Sequence, residues 1–436
     1  MRKQKIGITM KILHTADIHL GQIIYQNYDR QDEHDHFFAQ LKEWCMEYKP
    51  DALLVSGDVF DIQQPSAMVK RFFNEQFVEL HRNCPQMAIV VTAGNHDSAS
   101  RVQADSAVWS LANTVMVGLP PQTDPDEGWE ERFIVRIPTG YIVAMPYMAS
   151  ERTEMLQHLL DKVAQENQEG KPVVLMGHTA VVGLDLTGHD MEVGKIKTQA
   201  ADSFGTGYDY LALGHIHKPQ TIGHQEDAMK GEVRYPSPVI RYSGSALHVS
   251  CDEAYPHSVS LVEIDSHGGE VSVKQLRIDQ LRHFYVLPED GSSFASPEAA
   301  LEAVKGFCKG HDSGYIRLRV DYGTDLPSDF NQMVYEVLSA TGDEVRYNPK
   351  VVWTGAPTSG PDETVRPAFE VAELQQMTNP LCFIEKTIDR YPTLSMEEVR
   401  GAFEEVEREL LRMQEEEGQK PRRSTKKTST TKATEE

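Results

Sequence analysis

Long apolar runs, paired cysteines, a surplus of basic charge and a triphosphate-binding loop are all missing from this chain of 436 residues. No stretch of about 18 apolar residues occurs, so no membrane-spanning helix is expected. Residues 1–9 carry Arg2, Lys3 and Lys5 without the apolar centre of a secretory leader. Met10 stands directly before the first strand-like run and offers a natural start, in which case residues 1–9 would be an upstream extension. The five cysteines (Cys45, Cys84, Cys251, Cys308 and Cys382) are scattered, odd in number and free of any C-x-x-C pair. That excludes a disulfide framework and a cysteine zinc knuckle, and it fits reduced thiols in a cytoplasm. The net charge of −23 speaks against a protein that coats nucleic acid by charge alone, because phosphate neutralisation needs clustered Lys and Arg. The G-x-x-x-x-G-K-[ST] loop is absent, so nucleoside triphosphate is not expected to be held by this chain.

What the chain does have is a set of metal-type residues, each at the end of an apolar run. Lys11–Thr15 leads to Asp17-Ile18-His19 and Ala52–Ser56 to Gly57-Asp58. Ala88–Thr92 leads to Gly94-Asn95-His96-Asp97, Val173–Met176 to Gly177-His178, and Tyr210–Leu213 to Gly214-His215-Ile216-His217. The runs are mostly continuous rather than alternating, which predicts strands buried on both faces in an α/β sheet with helical covers. Ligands in such folds gather at the carboxyl ends of strands. Carboxylates, imidazoles and one amide make a donor set suited to Mn, Zn or Fe rather than Ca. The i, i+2 spacing of Asp17/His19 and of His215/His217 puts each pair on one side of extended backbone. A glycine before four of the five positions permits a sharp turn and a close backbone approach.

The strings His14-Thr15-Ala16-Asp17-Ile18-His19-Leu20-Gly21, Gly57-Asp58-Val59-Phe60-Asp61, Thr92-Ala93-Gly94-Asn95-His96-Asp97-Ser98 and Leu213-Gly214-His215-Ile216-His217 resemble the calcineurin-like metallophosphoesterases. More narrowly they resemble the SbcD family of bacterial nuclease subunits, which act in SbcCD double-strand-break repair complexes. The resemblance spans roughly residues 10–410. Protein phosphatases of the superfamily carry Gly-Asn-His-Glu and Asp-Arg-Gly, where this chain has Asp97 and Phe60-Asp61. The resemblance implies that Asp17, His19 and His217 hold one metal, that Asn95, His178 and His215 hold a second, and that Asp58 bridges them. His96 would face the scissile phosphate and assist the leaving oxygen. Asp97 could orient His96 or serve the turn. The chain departs from the family over Ser243–Glu253, where the expected Pro and Phe are missing, without touching a ligand position.

The implied fold is an α/β metallophosphoesterase sandwich, two sheets flanked by helices, over residues 10–278. A small α+β capping domain is expected over 279–354, a linker over 355–378, partner-binding helices over 379–417 and a disordered tail over 418–436. Helical spacing is read over Phe37–Tyr48, Ser66–Asn83, Glu151–Glu169, Pro297–Cys308 and Asp329–Ala340, with strands at His283–Leu287, Tyr315–Tyr322 and Val345–Trp353. Residues 219–242 read as a hairpin or insertion. The helix starting at Ser395 has a capping box with Glu398 and an apolar stripe from Val399 to Met413. Lys195, Lys197, Arg317 and Arg319 are candidates for phosphate contact, with a solvated face as the plainer reading of the arginines.

The resulting expectation is a Mn-dependent DNA nuclease, exonuclease on double strands and endonuclease on single strands and hairpins. Its partners would be an SbcC-like ATPase and a second copy of itself in a heterotetramer. The alternative is a small-molecule or nucleotide metallophosphodiesterase of the same fold, which the acidic net charge favours.

Overall fold

A computed structural model of the protein places residues 9–355 except 26, 123–125, 149–151, 186–197, 225–230, 251–252, 254 and 342–343. The expected linker beyond Gly355, the helices of 379–417, the tail, Lys195 and Lys197 lie outside the described residues.

Two large sheets share one core. In the first, the strands Met10–Thr15, Ala52–Ser56, Ala88–Thr92 and Thr114–Val117 run parallel. Ser258–Ile264, Glu270–Arg277 and Glu232–Pro236 extend it antiparallel from the Met10 side. In the second, Gly140–Ala144, Val173–His178, Tyr210–Gly214 and Val239–Tyr242 run parallel, with Ile134–Ile137 and Gln220–Thr221 as antiparallel edges. The continuous apolar runs behave as expected of strands covered on both faces. Ile12, Leu54 and Val90 point into the layer between the sheets, where they meet Val143, Leu175 and Leu211. Their neighbours Leu13, Leu53, Val55, Ile89 and Val91 point the other way, onto Phe37, Phe38, Phe73 and Phe77. Those aromatics lie on the helices Gln31–Tyr48 and Ala67–Asn83, the second of which is started by the Ser66 hydroxyl accepting from the Val69 N–H. Helix Thr153–Glu166 joins the inter-sheet core through Leu156, Leu159, Leu160 and Val163.

Residues 219–242 make a hairpin with an insertion: Gln220–Thr221 pairs antiparallel with Arg241–Tyr242, and the segment between them lends a strand to the other sheet. Glu232–Pro236 pairs with Glu270–Arg277 in the first sheet, whereas Val239–Tyr242 lies parallel to Tyr210–Gly214 in the second. The two short strands are separated by two residues, which imitates a hairpin turn, but the chain uses the break to cross between layers.

A third, all-parallel sheet is formed by Phe284–Leu287, Gly314–Asp321 and Val345–Thr354, with helices Pro297–Gly310 and Phe330–Thr341 between consecutive strands. Ile316, Leu318 and Val320 alternate into its own core with Val304, Val334 and Leu338. This sheet sits against the start of helix Gln31–Tyr48. The Tyr315 hydroxyl donates to Glu33 at 2.6 Å and Arg346 donates to the Asp29 carbonyl at 2.7 Å. No described helix is long and apolar enough to cross a membrane.

Candidate metal centre

All five strand ends singled out in the sequence meet at one place, where the carboxyl ends of the two large sheets adjoin. The Asp17–Leu20 and Gly57–Val59 loops lie side by side through Asp17 N–H to Gly57 O (3.0 Å), His19 N–H to Asp58 O (3.1 Å) and Leu20 N–H to Val59 O (2.9 Å). Asp17, His19 and His217 offer ligand atoms within 4.8 Å of one another, and so do Asp58, His178 and His215. Asn95 joins the second group, its Oδ1 lying 3.0 Å from His178 Nε2 and 2.9 Å from His215 Nδ1.

The backbone holds this convergence at some cost. Asp17, His19, Asp58 and His215 have φ of 50°, 51°, 48° and 90°, a region that non-glycine residues seldom occupy and that typically costs ~1–3 kcal/mol per residue. The strain therefore falls on the candidate ligand residues themselves. The glycines have another job at Gly94 and Gly214, where the neighbouring atoms leave no room for a side chain. A Cβ at Gly94 would lie 2.1 Å from Asp58 Oδ1, and one at Gly214 would lie 2.0 Å from the Ser56 carbonyl oxygen.

The donor set calls for positive charge. His178 gives its Nδ1–H to the Ser56 carbonyl at 2.8 Å, which turns Nε2 toward Asn95 Oδ1 and, at 3.2 Å, Asp58 Oδ2. A proton or a metal ion belongs between that nitrogen and the two oxygens. Burial alone would make His178 harder to protonate, but the Asp58 carboxylate beside it and Asp17 beyond raise its pKa instead. Burial likewise resists ionisation of Asp58, and the facing His178 overrides it, holding the carboxyl below the usual range. Asp17, fully enclosed, is pushed upward by burial. Among the described residues, no Lys or Arg ion pair reaches Asp17 or Asp58. Both ring nitrogens of His19 are buried without a hydrogen bond, although Nδ1 lies 3.2 Å from Asp61 Oδ1. His217 gives Nδ1–H to Glu253 at 2.9 Å, which leaves its Nε2 for the Asp17–His19 side. Orphaned imidazole nitrogens, two buried carboxylates and tautomers fixed from behind fit a pair of divalent cations.

His96 is the exposed member. Its ring packs edge-on to His19 at 4.9 Å, and its Nδ1 is 2.8 Å from the Asp61 carbonyl, so Nε2 is the nitrogen not committed to that carbonyl. Asp97 does not orient it. The Asp97 carboxylate instead accepts the N–H groups of Gly94 (2.8 Å), Phe60 (2.9 Å) and Val59 (3.2 Å), tying the second and third ligand loops together. Asp61 and Glu253 are site residues that sequence reasoning misses. Asp61 is visible as the last letter of Gly57–Asp61, and Glu253 only as part of an acidic pair. Arg317 and Arg319 donate within the small sheet's own surroundings, to the carbonyls of Lys350 and of Pro288 and Ser292.

Residues 10–219 match the calcineurin-like phosphoesterase family. The chain is 30% identical over 311 residues to the SbcD polypeptide of the SbcCD nuclease of Escherichia coli strain K12, covering 66% of this chain and 73% of that protein. It is 30% identical over 283 residues to the corresponding protein of Rhodobacter capsulatus, covering 58% and 66%. It is 29% identical over 291 residues to that of Bacillus subtilis strain 168, covering 61% and 68%. Among solved structures, the calcineurin-like phosphoesterase YfkN of Bacillus subtilis is similar at 12% identity and a TM-score of 0.35, covering 62% of this chain and 91% of that one.

Proposed function

This chain belongs to the SbcD family of SbcCD nuclease components, metal-dependent phosphodiester hydrolases, and from that premise we propose that it cuts DNA with two manganese ions as one member of an ATP-regulated complex. The observation that carries the reading is the convergence of Asp17, His19, Asp58, Asn95, His178, His215 and His217 at one strand-end cluster beside an exposed His96.

In this reading Asp17, His19 and His217 hold one ion, Asn95, His178 and His215 the other, and Asp58 serves both. Bound ions supply charge neutralisation of the phosphodiester and a nucleophile at neutral pH. The protein's own part is positional. Asp97 fixes the Asp58 and Asn95 loops against each other. Ser56 and Glu253 set which nitrogens of His178 and His217 face inward. His96, with Nδ1–H committed to the Asp61 carbonyl, presents Nε2 to the substrate side, where it donates a proton or hydrogen bond to the departing oxygen. The ligand choice of imidazole, carboxylate and amide supports manganese over calcium.

ATP is assigned to an SbcC-like partner, because this chain lacks a triphosphate loop. The partner-binding segment is proposed at 379–417, and the three-stranded sheet is proposed as the capping domain at the DNA end. A homodimer is supported by exposed apolar side chains on neighbouring helical segments, Met68 at 81%, Val108 at 70% and Leu111 at 86% exposure. The net charge of −23 favours the second reading, a nucleotide-sized phosphodiester as substrate.

The test is cleavage of end-labelled double-stranded and hairpin DNA with Mn²⁺, with and without the ATPase partner, by wild type and His96→Ala. Cleavage by wild type that His96→Ala loses by about 10²–10⁴-fold supports the nuclease and the role of His96. Hydrolysis of bis-p-nitrophenyl phosphate with no DNA cleavage, even with partner present, would favour the small substrate.

A further inference from the structure

Behind His217 lies a buried carboxylate with no part in the ligand set. Glu253 is 2% exposed. Its Oε1 accepts the His217 Nδ1–H at 2.9 Å, and its Oε2 accepts the Val249 N–H at 3.0 Å and lies 3.4 Å from His257 Nε2. His248, Glu253 and His257 come within ligand range of one another, yet the atoms that face one another are already engaged. His257 Nδ1 faces the Ser245 carbonyl at 2.9 Å, and His248 Nδ1 faces the Glu253 carbonyl at 3.0 Å and His257 Nε2 at 3.1 Å. These contacts immobilise the loop around Glu253, so the cluster serves as a mount rather than a further ion site.

The Val249 N–H that binds Glu253 belongs to the same peptide unit as the His248 carbonyl, and that carbonyl accepts from Arg30 Nη1. Arg30 is fully buried and makes a two-pronged pair with Glu33, Nε to Oε2 and Nη2 to Oε1, both at 2.9 Å. Glu33 Oε2 in turn accepts the Tyr315 hydroxyl at 2.6 Å. Tyr315 lies on the central strand of the three-stranded sheet and stacks on Phe284 at 4.6 Å, and Phe284 itself lies 5.4 Å from the His248 ring. An unbroken series of hydrogen bonds thus leads from that sheet to the outer nitrogen of a metal-site histidine. No bond in it is longer than 3.0 Å.

We propose that Glu253 is a positioning residue for His217, and that through the 248–249 peptide and Arg30 it makes the metal position at His217 depend on how the three-stranded sheet is seated. A carboxylate behind a ligating imidazole fixes its tautomer and ring angle and raises its basicity. Here the carboxylate is itself aimed by a peptide that the sheet's seat holds in place. Displacing Tyr315 releases Arg30 and Glu33, lets the 248–249 peptide turn and slackens the imidazole. The inference rests on His217 being a metal ligand, as proposed above.

The experiment is equilibrium binding of Mn²⁺ alone to the full chain, followed by calorimetry and by the electron paramagnetic resonance of free Mn²⁺. The variants are Glu253→Gln, His217→Ala, Tyr315→Phe and Tyr315→Phe with Glu253→Gln. Glu253→Gln should weaken one of two binding steps by about 10–100-fold and leave the other unchanged. Tyr315→Phe, remote from both ions, should weaken the same step by about two- to tenfold. Combined with Glu253→Gln it should add nothing further, because the route is already cut. Unchanged binding in Glu253→Gln, or a Tyr315→Phe effect that persists undiminished in the double variant, would overturn the inference. If Glu253→Gln does not melt cooperatively, Glu253→Asp replaces it with the same expectation and the same refutation. His217→Ala separates the two readings. Retention of both ions by that variant defeats the ligand assignment, whereas loss of one ion there with none lost in Glu253→Gln defeats only the positioning role.

Discussion

The metal cluster and the seat of the three-stranded sheet are both polar and both largely buried, yet their charge is arranged in opposite ways. At the seat, Arg30, Arg282 and Arg346 meet Asp32, Glu33 and Glu344, three cations for three anions. Burial pulls against the charge of Glu33, but the hydrogen bonds and charge of Arg30 hold its carboxyl below the usual range. At the cluster, Asp17 and Asp58 are surrounded by imidazoles and an amide, with the orphaned nitrogens of His19 among them. The seat balances its charge within the protein, although Arg282 Nε and Nη1 are buried without a hydrogen bond, whereas the cluster becomes neutral only by taking up protons or cations. Burial of polar groups therefore has two uses in one molecule, fixing a joint and creating demand for a metal.

Four changes probe that contrast. The largest effect is expected from Asp58→Ala, which removes the carboxylate common to both proposed metal positions. Cleavage should fall below detection, and Mn²⁺ should no longer raise the melting temperature, whereas the wild type should show that rise because a ligand that binds only the folded state stabilises it. A Mn²⁺-dependent melting shift that survives the substitution would put the ions elsewhere. Next comes His96→Ala, which should leave that melting shift intact while kcat drops by about 10²–10⁴-fold. Loss of the shift would move His96 into the ligand set.

The third change strikes the seat. Arg30→Ala takes from buried Glu33 its two-pronged partner, leaving the Tyr315 hydroxyl and the more distant Arg282 and Arg346, and breaking a buried pair costs up to ~3–5 kcal/mol, measurable as a lower midpoint in urea. An unchanged midpoint would mean that the seat carries little of the fold. The smallest effect concerns His14, fully buried under Tyr210 with its pKa lowered to about 3 by burial and then by Arg241. Its folded-state pKa lies below the unfolded one near 6.5, so the unfolded chain binds the proton first. Stability contributed by neutral His14 is present above about pH 6.5 and drains as pH falls toward 3, at no more than about 1.4 kcal/mol per pH unit. His14→Gln should flatten the melting profile between about pH 7 and 5, and an equally steep profile in the variant would assign the acid sensitivity to other groups.

How much of this is readable in the sequence depends on distance along the chain. The candidate ligand residues are legible because each follows its own apolar run within four positions, and parallel α/β topology sends such ends to one edge. The strain at Asp17, His19, Asp58 and His215 is not legible, since nothing in the letters says that these residues take a positive φ, His215 in place of Gly214 and Asp58 together with Gly57. Asp97 could equally serve His96 or the turn, and only the placement of three backbone N–H groups around it decides for the turn. The seat escapes altogether, because Glu33 and Tyr315 are 282 residues apart and neither sits in a motif. At residues 219–242 the hairpin is legible, but nothing local says that the inserted strand Glu232–Pro236 leaves for the other sheet.

The most direct measurement is the number of Mn²⁺ ions retained per chain by native mass spectrometry, in wild type and in Asp58→Ala. The account predicts two ions in the wild type, with both lost or weakened together in the variant because one carboxylate serves both positions. No retained manganese in the wild type, or two ions held as tightly without Asp58, would contradict it.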